Sequence, residues 1–160
     1  LESEFNIHLN FVGGGKSSAL EELNKYLKVN NIKESITLKQ YQNSSELVQE
    51  FESNDIFLFA SSCETFGITL LEAMGAKLPI ACSNRTGLPA ILKDAGVYFD
   101  PFNVSSIKTA LYELISNQHK RKELGSKGYL YAQDYTWEKC AEETFEFIKT
   151  IINKKTIKNV

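Results

Sequence analysis

The sequence of 160 residues has few of the residues on which disulfide-rich and metal-binding proteins depend, with three cysteines and two histidines. Cys63, Cys82 and Cys140 are widely spaced and include no CxxC pair, so neither a disulfide framework nor a zinc site is expected. The net charge is only −2 and no block of like charges occurs, which disfavours nucleic acid or an anionic membrane as a partner. No apolar run approaches the roughly 20 residues of a transmembrane helix. We therefore expect a cytoplasmic protein with reduced thiols.

Strand and helix patterns alternate along a chain whose length suits one domain. Residues 56–60 form a continuous apolar run, typical of a parallel strand buried on both faces. The alternation predicts an α/β fold, a Rossmann-like three-layer parallel sheet flanked by helices, over residues 1–152, followed by a tail at 153–160 that frays. The predicted strands are 5–12, 35–38, 56–60, 80–82 and 97–99. The first two predicted helices begin at Ser17 and at Ser44 or Ser45. The five later predicted helices span 68–75, 90–94, 105–117, 119–133 and 137–152.

A glycine-rich loop, Gly13-Gly14-Gly15-Lys16-Ser17, follows the first predicted strand. A phosphate-binding loop of the GxxxxGK[ST] type would need glycine at position 10, which is Asn10, and an aspartate ending its partner strand, whereas Asp55 precedes that strand. A dinucleotide fingerprint fails at Ser18 and lacks an acidic residue near Gln40. Two interpretations stay open: a sharp turn that needs glycine at positive φ, and a helix start that contacts a phosphate.

The histidines and the tryptophan carry weaker signals. His8 alternates with apolar residues in a strand and His119 lies in a polar stretch, and neither has a partner for a hydrolase triad. Trp137, with Phe145, Phe147 and Ile148, is expected to serve helix packing and not to bind a sugar.

Two glutamates flank a glycine turn in Glu64-Thr-Phe-Gly-Ile-Thr-Leu-Leu-Glu72. Gly67 would let a ligand approach the backbone, and the amides of residues 66–69 would point outward from a helix start, where a diphosphate is favoured. Glu72 can accept two hydrogen bonds from a ribose diol, and Glu64 can do the same for a sugar ring. The segment therefore offers two acceptors on either side of an amide cluster.

This segment resembles the E-x7-E motif of retaining glycosyltransferases with the GT-B fold, the large family 4 in particular. The resemblance runs from about Asn6 to Ile151 and is strong only when its parts are taken together. The other parts are Asp55–Ser62, similar to "aDifvlPS" with Ala60 in place of proline; Glu72–Ile80, similar to "EAmAsGlPV"; Thr86–Ala90, similar to "GGiPE" with Ala90 in place of glutamate; Asp134–Trp137, similar to "fsW"; and Phe11–Gly15, similar to "ivGdG".

The resemblance implies the carboxyl-terminal donor domain of such an enzyme, which binds a nucleotide-sugar, a UDP-sugar above all, and transfers a hexosyl group with retention. Glu72 would hold the ribose, Glu64 would contact the donor sugar as the catalytic residue, and neither metal nor cofactor is expected. The implied donor-binding residues are Gly13, Gly14, Gly15, Lys39, Gln40, Glu64, Thr65, Phe66, Gly67, Ile68, Thr69 and Glu72, with Lys16 and Arg85 as candidate diphosphate contacts.

The resemblance also implies parts that we expect before Leu1. These are an acceptor-binding domain, onto which the last helix would cross, and a strand and helix with an arginine and a lysine that bind the diphosphate. Membrane association at the inner face would come only through that domain, and a role in bacterial cell-surface polysaccharide synthesis would follow. Alone, this chain would have little or no activity. One alternative is an epimerase or phosphorylase of the same fold. The other is a non-catalytic interaction module, and the intact Glu64 and Glu72 argue against that module.

Overall fold

The computed structural model of the chain describes residues 5–14, 17–30 and 33–157. The chain divides into two compact units, Leu1–Asn54 and Asp55–Val160. Each unit has a parallel sheet with helices in the connections. The predicted α/β class, with parallel sheets flanked by helices, is confirmed, while the predicted extent of a single domain stays a prediction.

The first unit contains two parallel strands with Leu9 opposite Ile36 and Val12 opposite Lys39. The first strand is shorter than the predicted 5–12 because its partner begins only at Ile36. Asn43 begins the second helix with a capping box: its side chain accepts hydrogen bonds from the N–H groups of Ser45 and Glu46. The elements are β1 (Leu9–Val12), α1 (Ser17–Val29), a 3₁₀ turn (Lys33–Ser35), β2 (Ile36–Lys39) and α2 (Ser44–Ser53).

The second unit contains three parallel strands in the order β3-β4-β5. Its elements are β3 (Phe57–Phe59), α3 (Ile68–Gly75), β4 (Ile80–Ser83), α4 (Leu88–Leu92), β5 (Gly96–Phe99), α5 (Val104–Ser116), α6 (Gln118–Ala132) and α7 (Trp137–Ile157). Every residue of β4 is buried, whereas every residue of β3 is partly exposed, so the predicted strand buried on both faces is β4 and not the run at 56–60. Because the strands are parallel, the loops after them lie at one edge of this sheet.

A core cluster joins this sheet to two of its helices. It consists of Ala81 and Phe99 from the strands, Ala110 and Leu114 from α5, and Leu124 from α6. Phe99 is 1% exposed and Leu114 is fully buried, and complete burial of such side chains stabilises a fold by about 1.5–3 kcal/mol each. The cluster fixes the sheet on which the loops described below are carried.

Helix α6 lies antiparallel to α3 and close to it. A Cβ atom added at Gly125 would lie 2.2 Å from the carbonyl oxygen of Lys77, just after α3 ends. One turn later, a Cβ atom at Gly128 would lie 3.6 Å from Cγ of Met74. The Lys77 ammonium lies 4.5 Å from the ring centroid of Tyr129. The two glycines therefore set the close approach of the helices, and the carboxyl-terminal end of α6 points toward the start of α3.

Helix α7 is exposed along the part whose side chains are described, residues 137–153. Trp137 is 80% exposed and Phe147 is 67% exposed, so the expectation that they pack is wrong for the described residues. The helix continues to Ile157, past its predicted end at residue 152, and residues 158–160 lie outside the described residues. In the described part of the chain, no helix is long and apolar enough to cross a membrane.

Candidate functional site

The loop after β3 ends at Gly67, the residue before α3. Gly67 is buried and left-handed, with φ 90° and ψ 55°. A Cβ atom here would lie 3.0 Å from Cδ2 of the buried Leu88 and 3.5 Å from Cγ of Glu64. Glycine is required here for two reasons: other residues are strained at this φ, and the space that a Cβ atom would need is already filled. The turn therefore brings Glu64 next to the helix start.

The first turn of α3 is uncapped. The N–H groups of Leu70 and Leu71 bond to the Gly67 carbonyl at 3.0 and 3.3 Å, and no side chain caps the helix. The N–H groups of Ile68 and Thr69 have no hydrogen-bond partner among the described residues, and both residues are exposed. Free amides and the positive end of the helix dipole are the features that favour an anion at a helix start.

The two glutamates of the predicted motif lie on either side of this turn in the chain. Glu64 is partly buried in the loop, and Glu72 is exposed on α3. Within the described residues, neither carboxylate forms an ion pair. Both are therefore available to accept hydrogen bonds from hydroxyl groups.

Arg85, a candidate diphosphate contact, lies in the loop after β4 at the same edge of the sheet. Its Nη2 lies 3.2 Å from Oδ1 of Asp100, and its guanidinium carbon lies 5.7 Å from the ring centroid of Phe102. A hydrogen bond from the N–H of Phe102 and a second from Arg85 lower the pKa of Asp100. Asp100 and Phe102 therefore hold an exposed cation at this edge, although sequence reasoning did not identify them.

The predicted site residues of the first unit lie at or just after the ends of its two strands. Gly13 has φ 127°, which favours glycine, and its N–H donates to the Lys39 carbonyl at 3.1 Å. The Lys39 ammonium forms an ion pair with Glu50 of α2, which is 8% exposed. Gly14 and Gln40 are exposed, and Gly15 and Lys16 lie outside the described residues. Their contact with a donor stays a prediction.

Sequence reasoning also missed Tyr135, in the connection between α6 and α7. Its ring contacts that of Phe66, with centroids 6.0 Å apart and planes inclined at 64°. Its place in the Asp134–Trp137 motif was the one available signal. Among the described residues, no group of three or more histidine, cysteine, aspartate or glutamate side chains is arranged to hold a metal ion.

Several solved structures share this architecture. The chain superposes on sucrose-phosphate synthase from Thermosynechococcus elongatus with a TM-score of 0.82 and 18% identity, covering 92% of this chain and 39% of that one. It superposes on Anabaena Alr3699/HepE in complex with UDP with a TM-score of 0.80 and 15% identity, covering 90% of this chain and 41% of that one. The fold is that of GT-B glycosyltransferases, as the motif resemblance implied.

The chain belongs to the family "Glycosyl transferases group 1", whose family model matches residues 2–131. It is 30% identical over 111 residues to the O-antigen chain mannosyltransferase B of Escherichia coli, covering 69% of this chain and 29% of that protein. The expected membership in this group of glycosyltransferases is confirmed. The chain spans less than half the length of each of these three proteins, so the activity of the whole protein belongs to the proposal below.

Proposed function

We propose that this protein binds a nucleotide-sugar donor, a UDP-sugar above all, and transfers its hexosyl group to an acceptor. The observation that carries the proposal is the uncapped start of α3, which has an unpaired glutamate before it and another within the helix. The solved complexes of Alr3699/HepE contain UDP or UDP-glucose, which supports a donor of this kind.

The donor diphosphate would bind to the free N–H groups of Ile68 and Thr69. Negative charge increases on the diphosphate as the bond to the anomeric carbon breaks, and fixed donors stabilise charge that develops in a transition state. The left-handed Gly67 forms the tight turn that precedes these amides. Arg85 would approach the same group from the loop after β4, held by Asp100.

The two carboxylates would take different hydroxyl groups. Glu72, exposed on α3, would accept both hydroxyls of the ribose, and Glu64 in the loop would contact the donor sugar. Thr65 lies exposed between Glu64 and Phe66 and would line the sugar side. Retention at the anomeric carbon without a metal is part of the proposal and is supported by the E-x7-E resemblance.

The acceptor belongs to the part of the protein that we expect outside this chain. Two similar proteins are an O-antigen mannosyltransferase and WaaG, a glycosyltransferase involved in lipopolysaccharide biosynthesis. We therefore propose a bacterial cell-surface polysaccharide as the product and the cytoplasm as the location, with membrane association through the acceptor domain.

Calorimetric titration with UDP, GDP and ADP tests the proposal. We expect one nucleotide to bind and Glu72→Ala to weaken it at least about tenfold, because two hydrogen bonds to a charged acceptor are lost. Glu138→Ala, an exposed glutamate on α7, is the matched control and should bind like the wild type. The proposal is wrong if the folded protein binds no nucleotide, or if Glu72→Ala binds as tightly as the control.

A further inference from the structure

The contact between Phe66 and Tyr135 joins the loop of the candidate donor site to the connection between α6 and α7. The two rings meet edge to face, with centroids 6.0 Å apart. Phe66 is 45% exposed and Tyr135 is 37% exposed, so the contact lies at the surface and not in the core. Core packing alone therefore does not account for it.

Tyr135 is attached to a rigid element. Its N–H donates to the carbonyl of Ala132 at 3.0 Å, which fastens it to the last turn of α6. Helix α6 is fixed against α3 by Gly125, where the approach of the Lys77 carbonyl leaves no space for a side chain. Because the two helices are antiparallel, the opposite end of α6 places Tyr135 beside Phe66, just before α3 begins.

Phe66 immediately precedes the turn that aims the free amides. Its carbonyl and the N–H of Gly67 share one peptide group, so a rotation at Phe66 is passed to the start of α3. The Gly67 carbonyl accepts hydrogen bonds from the N–H groups of Leu70 and Leu71, which holds the helix side of the turn. On the loop side the Phe66 ring packs against the Tyr135 ring, and this contact limits rotation at Phe66.

We propose that Tyr135 is a positioning residue of the donor site. Its ring edge fixes Phe66, and through Phe66 it orients the N–H groups of Ile68 and Thr69 toward the donor diphosphate. The inference rests on the proposed function, because it assigns Tyr135 a role in that same site. The ring and not the hydroxyl carries this role, so phenylalanine at position 135 should preserve it.

Three variants test the inference: Tyr135→Ala, Tyr135→Phe and, as a control, Phe147→Ala on the exposed face of α7. The measurements are UDP affinity by calorimetry, amide hydrogen exchange and the thermal midpoint. We expect Tyr135→Ala to bind UDP roughly 3- to 10-fold more weakly, the size of one aromatic pair. It should also speed exchange at Leu70 and Leu71, whose N–H groups bond to the Gly67 carbonyl, and leave exchange elsewhere unchanged. Tyr135→Phe and Phe147→Ala should match the wild type.

The outcomes separate this inference from the proposed function. If Glu72→Ala abolishes UDP binding but Tyr135→Ala changes neither affinity nor exchange at Leu70 and Leu71, the positioning role is wrong and the donor site stands. If Tyr135→Ala speeds exchange throughout the second unit and Tyr135→Phe does not restore it, Tyr135 is a packing residue and the inference is also wrong. If the wild type binds no nucleotide, the proposed function is wrong. Unchanged exchange at Leu70 and Leu71 in Tyr135→Ala would then overturn the role of the ring contact as well.

Discussion

Gly125 and Gly128 lie one turn apart in α6 and should respond oppositely to the same substitution. In Gly125→Ala the new methyl group would lie 2.2 Å from the carbonyl oxygen of Lys77, closer than Cβ atoms approach other atoms. That oxygen belongs to a residue with φ 60°, in a turn with little freedom to rotate. In Gly128→Ala the nearest atoms lie at 3.6–3.9 Å, which is ordinary van der Waals contact.

The geometry sets the size of each effect. To relieve the contact at position 125, the two helices must separate by roughly 1 Å, and overpacking of this kind costs about 1–3 kcal/mol. Alanine returns about 1 kcal/mol through its higher helix propensity. Because the contact is with backbone and very short, we expect a net loss of about 2 kcal/mol for Gly125→Ala. At position 128 only the higher helix propensity of alanine applies, and we expect the free energy of unfolding to rise by about 0.5–1 kcal/mol.

Urea unfolding followed by far-ultraviolet circular dichroism measures both free energies. For a chain of this size, each kcal/mol corresponds to roughly 2–4 °C in the thermal midpoint, so the two variants should differ by about 5–12 °C. The reasoning is refuted if Gly125→Ala is as stable as the wild type, or if both variants shift in the same direction. A midpoint that moves because the m-value changes would also count against it, since that would indicate a different unfolded state.

Three further predictions concern the second unit. Gly67→Ala should lose about 2 kcal/mol of stability, because a left-handed conformation costs other residues about 1–2 kcal/mol and the methyl group meets Leu88. UDP affinity should fall as well. An unchanged urea midpoint would contradict the expected loss of stability. Iodoacetamide at about pH 8 should modify Cys63 and Cys140 but not Cys82, whose pKa burial raises to about 12; mass spectrometry of the native protein that finds labelled Cys82 would contradict it. Hydrogen bonds from Lys127 and Tyr131 lower the pKa of Asp94. The ionised Asp94 therefore stabilises the fold above the unfolded pKa of about 4, and this stabilisation is lost as the pH falls through the folded pKa. The thermal midpoint of Asp94→Asn should fall less steeply in acid than that of the wild type.

Local signals in the sequence were enough to predict the helix that carries the candidate site. Helix α3 spans Ile68–Gly75 as predicted, because a glycine before an apolar helical repeat marks its start and the residues after Gly75 end it. The position of Glu64 beside this start follows from the short loop alone. A segment whose geometry depends on its own residues can be predicted from them.

Features that depend on distant residues could not be predicted. The contact of Tyr135 with Phe66 exists because two antiparallel helices carry these rings together, and no local pattern encodes that meeting. Lys39 was expected among the donor-binding residues, and its ion pair with Glu50, a buried acid that requires a cation nearby, was not predicted. Strand β1 begins where its partner begins, at Leu9 opposite Ile36, which its own alternation of apolar and polar residues could not show.

The exposure of α7 has a consequence for spectroscopy, because Trp137 is the only tryptophan of the 160 residues. At 80% exposure its indole is already surrounded by water in the folded protein. Its emission should therefore shift little when the chain unfolds, which makes intrinsic fluorescence a poor measure of folding here. The same property makes it a sensitive reporter of contact: any molecule that covers the first turn of α7 should move the emission to shorter wavelength while the circular dichroism stays constant.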